Sequence, residues 1–556
     1  MHPAQHQDEQ LRCSCLLFDI DSAPPFEALS YAWGPPEPAV ELQCNGLTFT
    51  VRPELANALI RMRLQTTTRI IWADAICINQ NDIEERNHQV SLMGSIFTSA
   101  KRVIVWLGIA DPISDHIQET FEVIELISTT CQQSLDDQGN EPQDRWESVQ
   151  IAASVFTPSL RRGLSKLFKR SWFSRIWCLQ EIRLAVDALF LCGKHEIHWH
   201  DLGTAASWFF DQDFSHGDDP VNKWLYSIDT YPVERMYDHL SVGFLETLQN
   251  SRMFESTDPK DKVYAVLNLV APRSELDGFE VNYDKSVGEV FAKTAVFIIN
   301  KTRRLDCLAH VSHPPDYDGN VDHRSWAPRW DHDKRIAAIG GWADCPWRVC
   351  AGMSILGTRG YDLNAEELVL QGIYYGKVVT TEALDLNTTN VESAQDKNME
   401  NNEGSVQARI RLLARTVVAG QLGCDFIADL GESSQEKFYL SFRHLLQRLS
   451  CPDQVGTDFQ HPLSADTKIL EEDIYTMRGK RRVFWTSNGS LGLGPQCMRA
   501  DDIVVVLYGG NTPYVLRPRG DKYLFLGEAY VDDIMHGELM QALSEGKVHE
   551  QTFHLI

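Results

Sequence analysis

The stretch from Arg69 to Gly108, RIIWADAICINQNDIEERNHQVSLMGSIFTSAKRVIVWLG, constrains this chain more than any other part. Its first apolar run, Ile70 to Ala73, ends at Asp74 and turns polar through Asn79, Gln80 and Asn81. Asp82 followed by Glu85 predicts a helix N-cap with a capping partner three residues on. Behind it, Val90, Met93, Phe97 and Ala100 share one face at helical spacing. Val103 to Leu107 is then apolar without alternation, which predicts a parallel strand covered on both faces. The result is a strand-helix-strand unit with Asp74 and Cys77 to Gln80 just past the first strand's carboxyl end. Ligands bind at that edge in open α/β sheets.

The flanking segments extend the same pattern. Leu29 to Gly34 reads as a short strand running into a Gly-Pro-Pro turn. Asn45-Gly46 sits between two alternating runs and predicts a tight hairpin. Pro53 opens a helix whose Leu55, Ala58, Leu59 and Met62 line one side. Residues 111 to 170 read as an acidic helical insertion with a polar loop from Asp136 to Asp144. Ser171 to Ile182 reads as a helix packed on the sheet, and Ala188 to Gly193 as a further strand. Downstream, Asp258-Pro259 is expected to cap and open a helix. The Asn- and Glu-rich stretch at 387–405 is expected to be a mobile loop, and the runs from Ile503 to Leu526 read as antiparallel strands.

These readings give an α/β fold with a parallel sheet, a mainly helical region and a small β-rich tail. Residues 1–25 form an extension, 26–212 the α/β domain with its insertion at 111–170, 213–470 the helical region and 471–556 the β-rich unit.

Charge and composition narrow the function classes. At 556 residues the chain exceeds one core. A net charge of -25 argues against nucleic acid and anionic membranes as partners, because no basic face offsets it. No apolar run approaches the ~20 residues of a membrane helix. The opening MHPAQHQDEQ has neither the basic nor the apolar part of a signal peptide. Thirteen cysteines, an odd and scattered set, suit reduced thiols, so a cytoplasmic location is expected. Cys192 to His200 lacks the distant partners a zinc site needs, so no metal is expected. No G-x-S-x-G, H-E-x-x-H or phosphate-loop sequence occurs.

The motifs LSYAWG at Leu29, Asn45-Gly46, WADAICINQ at Trp72, ERNHQV at Glu85 and VIVWLG at Val103 together resemble the heterokaryon-incompatibility (HET) domain of filamentous fungi. DPKDKVYAVLNL at Asp258, SWAPRW at Ser325 and the closing LYGGNTPYVLRP and GEAYVDDIMHGE blocks resemble the downstream parts of full-length HET proteins. The resemblance implies a part in fungal non-self recognition and programmed cell death, with an unidentified incompatibility partner. A second resemblance, to Toll/interleukin-1 receptor (TIR) domains, rests on the order of elements and on Trp177-Cys178-Leu179-Gln180-Glu181. In NAD+-cleaving members of that family the Glu of W-x-x-x-E is catalytic, which implies that role for Glu181. The same resemblance implies sites completed across subunits, hence a homo-oligomer.

NAD+ would then be substrate, with no cofactor required. Its nicotinamide leaves with a positive charge already in place, so a single carboxylate near the ribose can carry the reaction by stabilising an oxocarbenium ion. Trp33 and Trp177 are candidates for stacking on the bases, and Ser30, Tyr31, Gly34 and Asp74 for contacting ribose or pyrophosphate. Each has an ordinary alternative. A helical Glu is most often a solvated carboxylate, and an Asp after a strand commonly fixes a turn. The site is expected at a cleft rim. The other function class left open is a non-catalytic homotypic scaffold, which the same fold supports.

Overall fold

The computed structural model describes Met1 to Ile556 apart from residues 7, 112–114, 139–150, 212–227, 238–241, 320–321, 333–337, 341–344, 346, 351–361, 384–402, 423–424, 451–469, 471–473, 475–476 and 478–479. The chain divides into two compact units, Met1–Asp284 and Lys285–Ile556.

The first unit is built on a five-stranded sheet. Its strands, numbered along the chain, are β1 (Glu27–Tyr31), β2 (Ile71–Trp72), β3 (Arg102–Trp106), β4 (Ala188–Cys192) and β5 (His195–His198). Their spatial order is 2-1-3-4-5. The first four are parallel, and β5 returns antiparallel beside β4. That order is the flavodoxin-like one, in which the strand order reverses between β1 and β3 and opens a crevice at the strands' carboxyl ends. Val103, Ile104 and Val105 are fully buried, as the unbroken apolar run requires of a strand covered on both faces.

Each face has its own cover. On one side the Pro53–Met62 helix packs Leu55, Ala58 and Leu59 against Ile104, Trp106 and Leu191. On the other, aromatic rings interlock: Trp172 meets Phe190 edge-on at 5.0 Å, and Phe190 stacks on Trp199 at 5.3 Å. The hairpin turn has Asn45 at φ 52° and Gly46 at φ 82°, the left-handed pair that Asn-Gly supplies. Asp82 caps the Ile83–Ser99 helix by accepting from the Glu85 N–H, while the Glu85 carboxylate reaches back to the Asn79 N–H. The expected capping box is therefore half formed.

The insertion is helical, with Ile117–Gln138 and Pro158–Phe168 either side of residues that are not described. Ser171–Ser174 is a short 3-10 turn, so the expected helix begins at Ile176 and runs to Arg183. The extension at 1–25 is tied in, since Arg12–Cys13 pairs in parallel with Val40–Cys44. Asp258 does not cap a helix directly: it accepts from the Lys260 N–H, and the short helix starts at Asp261. Two acceptor oxygens and Pro259 favour a turn there before the helix can begin.

The second unit carries helices ahead of a β-rich tail, and the tail's sheet also takes in one strand from the middle of the chain. Leu368–Ala383 pairs with Glu550–Leu555 over its first residues and with Ile503–Leu507 over its middle. With Tyr514–Arg519 and Lys522–Glu528 between them, these five strands close into a ring. Arg481–Thr486 and Leu491–Pro495 extend the sheet from the far end of Leu368–Ala383. The helices Glu403–Val417 and Glu432–Ser450 pack Val417 and Phe442 into the same core as Phe484 and Leu493. Most of the loop expected at 387–405 lies outside the described residues, and 403–405 open the first of those helices. Of the polar loop expected at Asp136 to Asp144, the first three residues instead end the Ile117–Gln138 helix and the rest lie outside the described residues.

Within this unit Arg517 forks onto Asp502, with both contacts at 2.9 Å and both side chains nearly fully buried. Its remaining donors reach the carbonyls of Tyr317 and Cys497. Asp502→Ala would leave the buried cation only the half-exposed Asp318 carboxylate, 3.4 Å away, as counter-charge, at a cost of about 3 kcal/mol. Hydrogen exchange in Ile503–Leu507 and Tyr514–Arg519 should quicken accordingly, and unchanged protection there would show that the pair does not hold the barrel.

Candidate functional site

Two strand ends and one helix converge at the carboxyl edge of the parallel sheet. β1 delivers Ser30 and Tyr31 opposite Val105 and Trp106 of β3. β2 is followed directly by Asp74, which opens a one-turn helix, Asp74–Cys77. The Ile176–Arg183 helix brings Glu181.

Glu181 is 9% exposed and Ser30 1%. The Ser30 hydroxyl donates to Glu181 Oε2 and accepts from the Trp172 indole N–H at 2.7 Å, so its hydrogen-bonding capacity is directed by both neighbours. The carboxylate expected at an exposed rim is instead largely withdrawn from water, because the helix presses it against the buried end of β1. Burial pushes the Glu181 carboxyl up to about 7, and the negative Asp74 adds to the rise, while the Ser30 hydrogen bond and the Arg175 guanidinium oppose it. Near neutral pH the group is thus poised between its two forms.

Asp74 is half-buried, and three donors converge on its carboxylate. The Trp33 indole N–H reaches Oδ2 at 2.8 Å, the Ala75 N–H reaches Oδ1 at 2.7 Å, and the Tyr31 hydroxyl also donates. Desolvation raises its pKa against those donors and against Arg175. Burial, and then Asp74, hold the Tyr31 phenol above its ordinary range, so it stays a donor. The half-buried Trp33 ring has the Arg52 guanidinium 5.0 Å above it. Gly34 follows at φ 62° on the surface, and a Cβ there would stand 2.9 Å from Glu54 Cγ. A bare backbone is therefore required at that point beside the strand ends.

Ser30, Tyr31, Trp33, Asp74 and Glu181 thus belong to one connected group, with Gly34 next in the chain. Trp177 differs: its indole N–H donates to Asp261 and takes no part in the Ser30–Glu181 pair. Trp72 and Trp106 are packing residues, the first edge-on to Phe97 at 5.6 Å and the second bonded to Glu54 at 2.9 Å.

Reasoning from sequence missed Arg175, Trp172 and Cys178. Arg175 acts electrostatically on both carboxylates, and its buried Nε has no partner among the described residues. The buried Cys178 thiol lies within hydrogen-bonding reach of Ser30 and Arg175, and burial keeps it protonated. Trp172 and Arg175 lie just before the W-x-x-x-E motif and Cys178 lies within it, but nothing local says which of them turn inward. Among the described residues no group of three or more His, Cys, Asp or Glu side chains lies close enough to hold a metal ion. No helix among them is long and apolar enough to cross a membrane.

The comparisons with known proteins follow the same division of the chain. Residues 26–181 match the family described as heterokaryon incompatibility protein (HET), and residues 458–556 match the Het-6 beta-barrel domain. The chain is 27% identical over 643 residues to heterokaryon incompatibility protein 6, OR allele, of Neurospora crassa, with 97% of this chain and 93% of that protein covered. No solved structure matches it. The strand-end cluster lies within the first match, and four of the five strands of the closed ring lie within the second, so in both regions the chain is similar to heterokaryon-incompatibility proteins.

Proposed function

We propose that this protein acts in fungal heterokaryon incompatibility, as the name of its Neurospora crassa relative states for that protein, and that its first unit causes cell death by cleaving NAD+. The observation that carries the chemical part is the desolvated Glu181 carboxylate, bonded to Ser30 and facing Asp74 and Arg175 at the carboxyl ends of a parallel sheet.

The bond broken is the one between the ribose anomeric carbon and the nicotinamide nitrogen. Its electron pair leaves with nicotinamide, neutralising that ring, so no acid is needed. The sugar becomes an oxocarbenium ion, water adds to it, and the water's surplus proton goes to solvent. A carboxylate in a low-dielectric setting stabilises that cation far more than the same group in water. Ser30 fixes the direction of Glu181. Asp74 and Tyr31 offer polar contacts for the ribose hydroxyls. The unpartnered Arg175 Nε and the open backbone at Gly34 suit the pyrophosphate, and Trp33 offers a ring for stacking. Assembly through the HET domain, which would complete the site between copies, belongs to the same reading.

Glu181→Gln keeps the size and the acceptor for Ser30 but removes the charge. Losing a central electrostatic group costs about 3 kcal/mol, or roughly a hundredfold or more in rate. The variant should release almost no nicotinamide and should no longer arrest growth when expressed in a host fungus. Growth arrest by a well-folded Glu181→Gln protein would remove the enzymatic reading and favour the scaffold. In the wild type the ionised form is the useful one, so release should climb as pH rises through about 7.

The same carboxylate gives a test on stability. The folded protein holds the Glu181 proton up to about 7, whereas the unfolded chain releases it near 4.5. Stability is therefore lost as pH rises between those values, by up to roughly 3 kcal/mol. Glu181→Gln does not titrate, so its Tm should exceed that of the wild type at about pH 8 and approach it at about pH 4.5. An equal difference at both pH values would mean that Glu181 is not held in its neutral form by burial.

A further inference from the structure

The HET match stops at residue 181, on the reacting carboxylate itself, yet the helix that carries Glu181 is held from beyond that limit. The segment from Arg252 to Tyr283 grips it at three levels. At its entrance the Ile176 N–H donates to the Glu255 carbonyl at 2.9 Å, and the Glu255 N–H returns to Ser174. In the first turn the Trp177 indole donates to Asp261. Beside Glu181 the fully buried Gln180 accepts from Asn268 Nδ2 at 2.8 Å.

The segment is itself braced. The buried Lys262 ammonium donates to the carbonyls of Arg252 and Phe254, closing the turn that precedes Asp261. The Tyr283 hydroxyl donates to Asp261 at 2.6 Å, and the Arg86 guanidinium lies 4.1 Å over the Tyr283 ring. The Tyr283 N–H donates to Asn87 at 3.1 Å. Arg86 and Asn87 belong to the Ile83–Ser99 helix, so this segment links that helix to the one carrying Glu181.

We propose that Asp261 and Asn268 are positioning residues for Glu181, and that residues 252–283 are an integral part of the site. An eight-residue helix carrying a desolvated carboxylate has too few backbone bonds of its own to fix that group. The two side-chain contacts supply the register, Asp261 through Trp177 at one end of the W-x-x-x-E motif and Asn268 through Gln180 at the other. This also assigns Trp177 to holding the helix. The inference rests on the reading of Glu181 as the reacting carboxylate.

The test uses the full chain with two independent variants. Asp261→Ala removes the lower contact. Gly94→Ala acts from the opposite side: a Cβ there would stand 2.5 Å from Asn268 Cγ and would push it off Gln180, while alanine favours the helix it sits in. In both, amide exchange over 176–183 should accelerate about tenfold or more while β3 and β4 keep their protection. Nicotinamide release should fall about tenfold in kcat with KM within about twofold of wild type. Asp261→Asn keeps an acceptor for the indole and should recover most of both. Unchanged exchange over 176–183, or acceleration spread evenly over the whole first unit, would overturn the proposal. A wild-type protein that releases no nicotinamide would instead refute the enzymatic reading, and the exchange measurement alone would then decide whether the segment holds the helix.

Discussion

The hydrogen bond from Ser30 to Glu181 joins residues 151 positions apart, and much of the first unit is arranged so that it can form. β1 must end where Ser30 is still buried but Tyr31 already reaches Asp74. The insertion must return the chain to the sheet with the Ile176–Arg183 helix facing that end. Trp172 must supply a second bond, so that the hydroxyl proton is committed to the carboxylate. A buried carboxyl with a single well-directed donor is costly to fold around. An apolar residue would fill the same space more stably, and the proposed chemistry gives that cost a purpose.

Burial and charge act together here. Asp74 has three donors and Glu181 one, although both lie at the same sheet edge near the same arginine. The difference in hydrogen bonding divides two similar desolvated carboxyls into one held by three donors and one held by a single donor. Pairs of this kind, separated by their surroundings, are how one fold runs acid and base chemistry near neutral pH. Arg175 limits the rise of both, and at Glu181 it opposes burial and the neighbouring Asp74 charge, which favour the neutral form.

Most of the first unit was legible in the sequence because its signals are local. Asn45-Gly46, Pro53, Asp82 and the Val103–Leu107 run each specify a turn, a helix start or a buried strand from a few adjacent residues. The long strand Leu368–Ala383 was not read, because its partners lie more than a hundred residues downstream and its glycines blur the alternation. At the site, Ser30, Asp74 and Glu181 could be picked out by motif and by their place after strands. Arg175 and Trp172 could not, since what matters about them is the direction of a side chain across the sheet edge. The burial of Glu181 was hidden for the same reason: it depends on a tertiary contact with β1, whereas helical periodicity leaves that position ambiguous.

The central claim is that this desolvated carboxylate cleaves NAD+, and its most direct test is chemical. Purified full-length protein, at high concentration so that any assembly can form, is incubated with NAD+ and the products are separated over time. Free nicotinamide and ADP-ribose appearing in equal amounts, in proportion to protein and faster as pH rises through about 7, is the result this account predicts. NAD+ that survives intact under those conditions, with the protein folded and assembled, would contradict it.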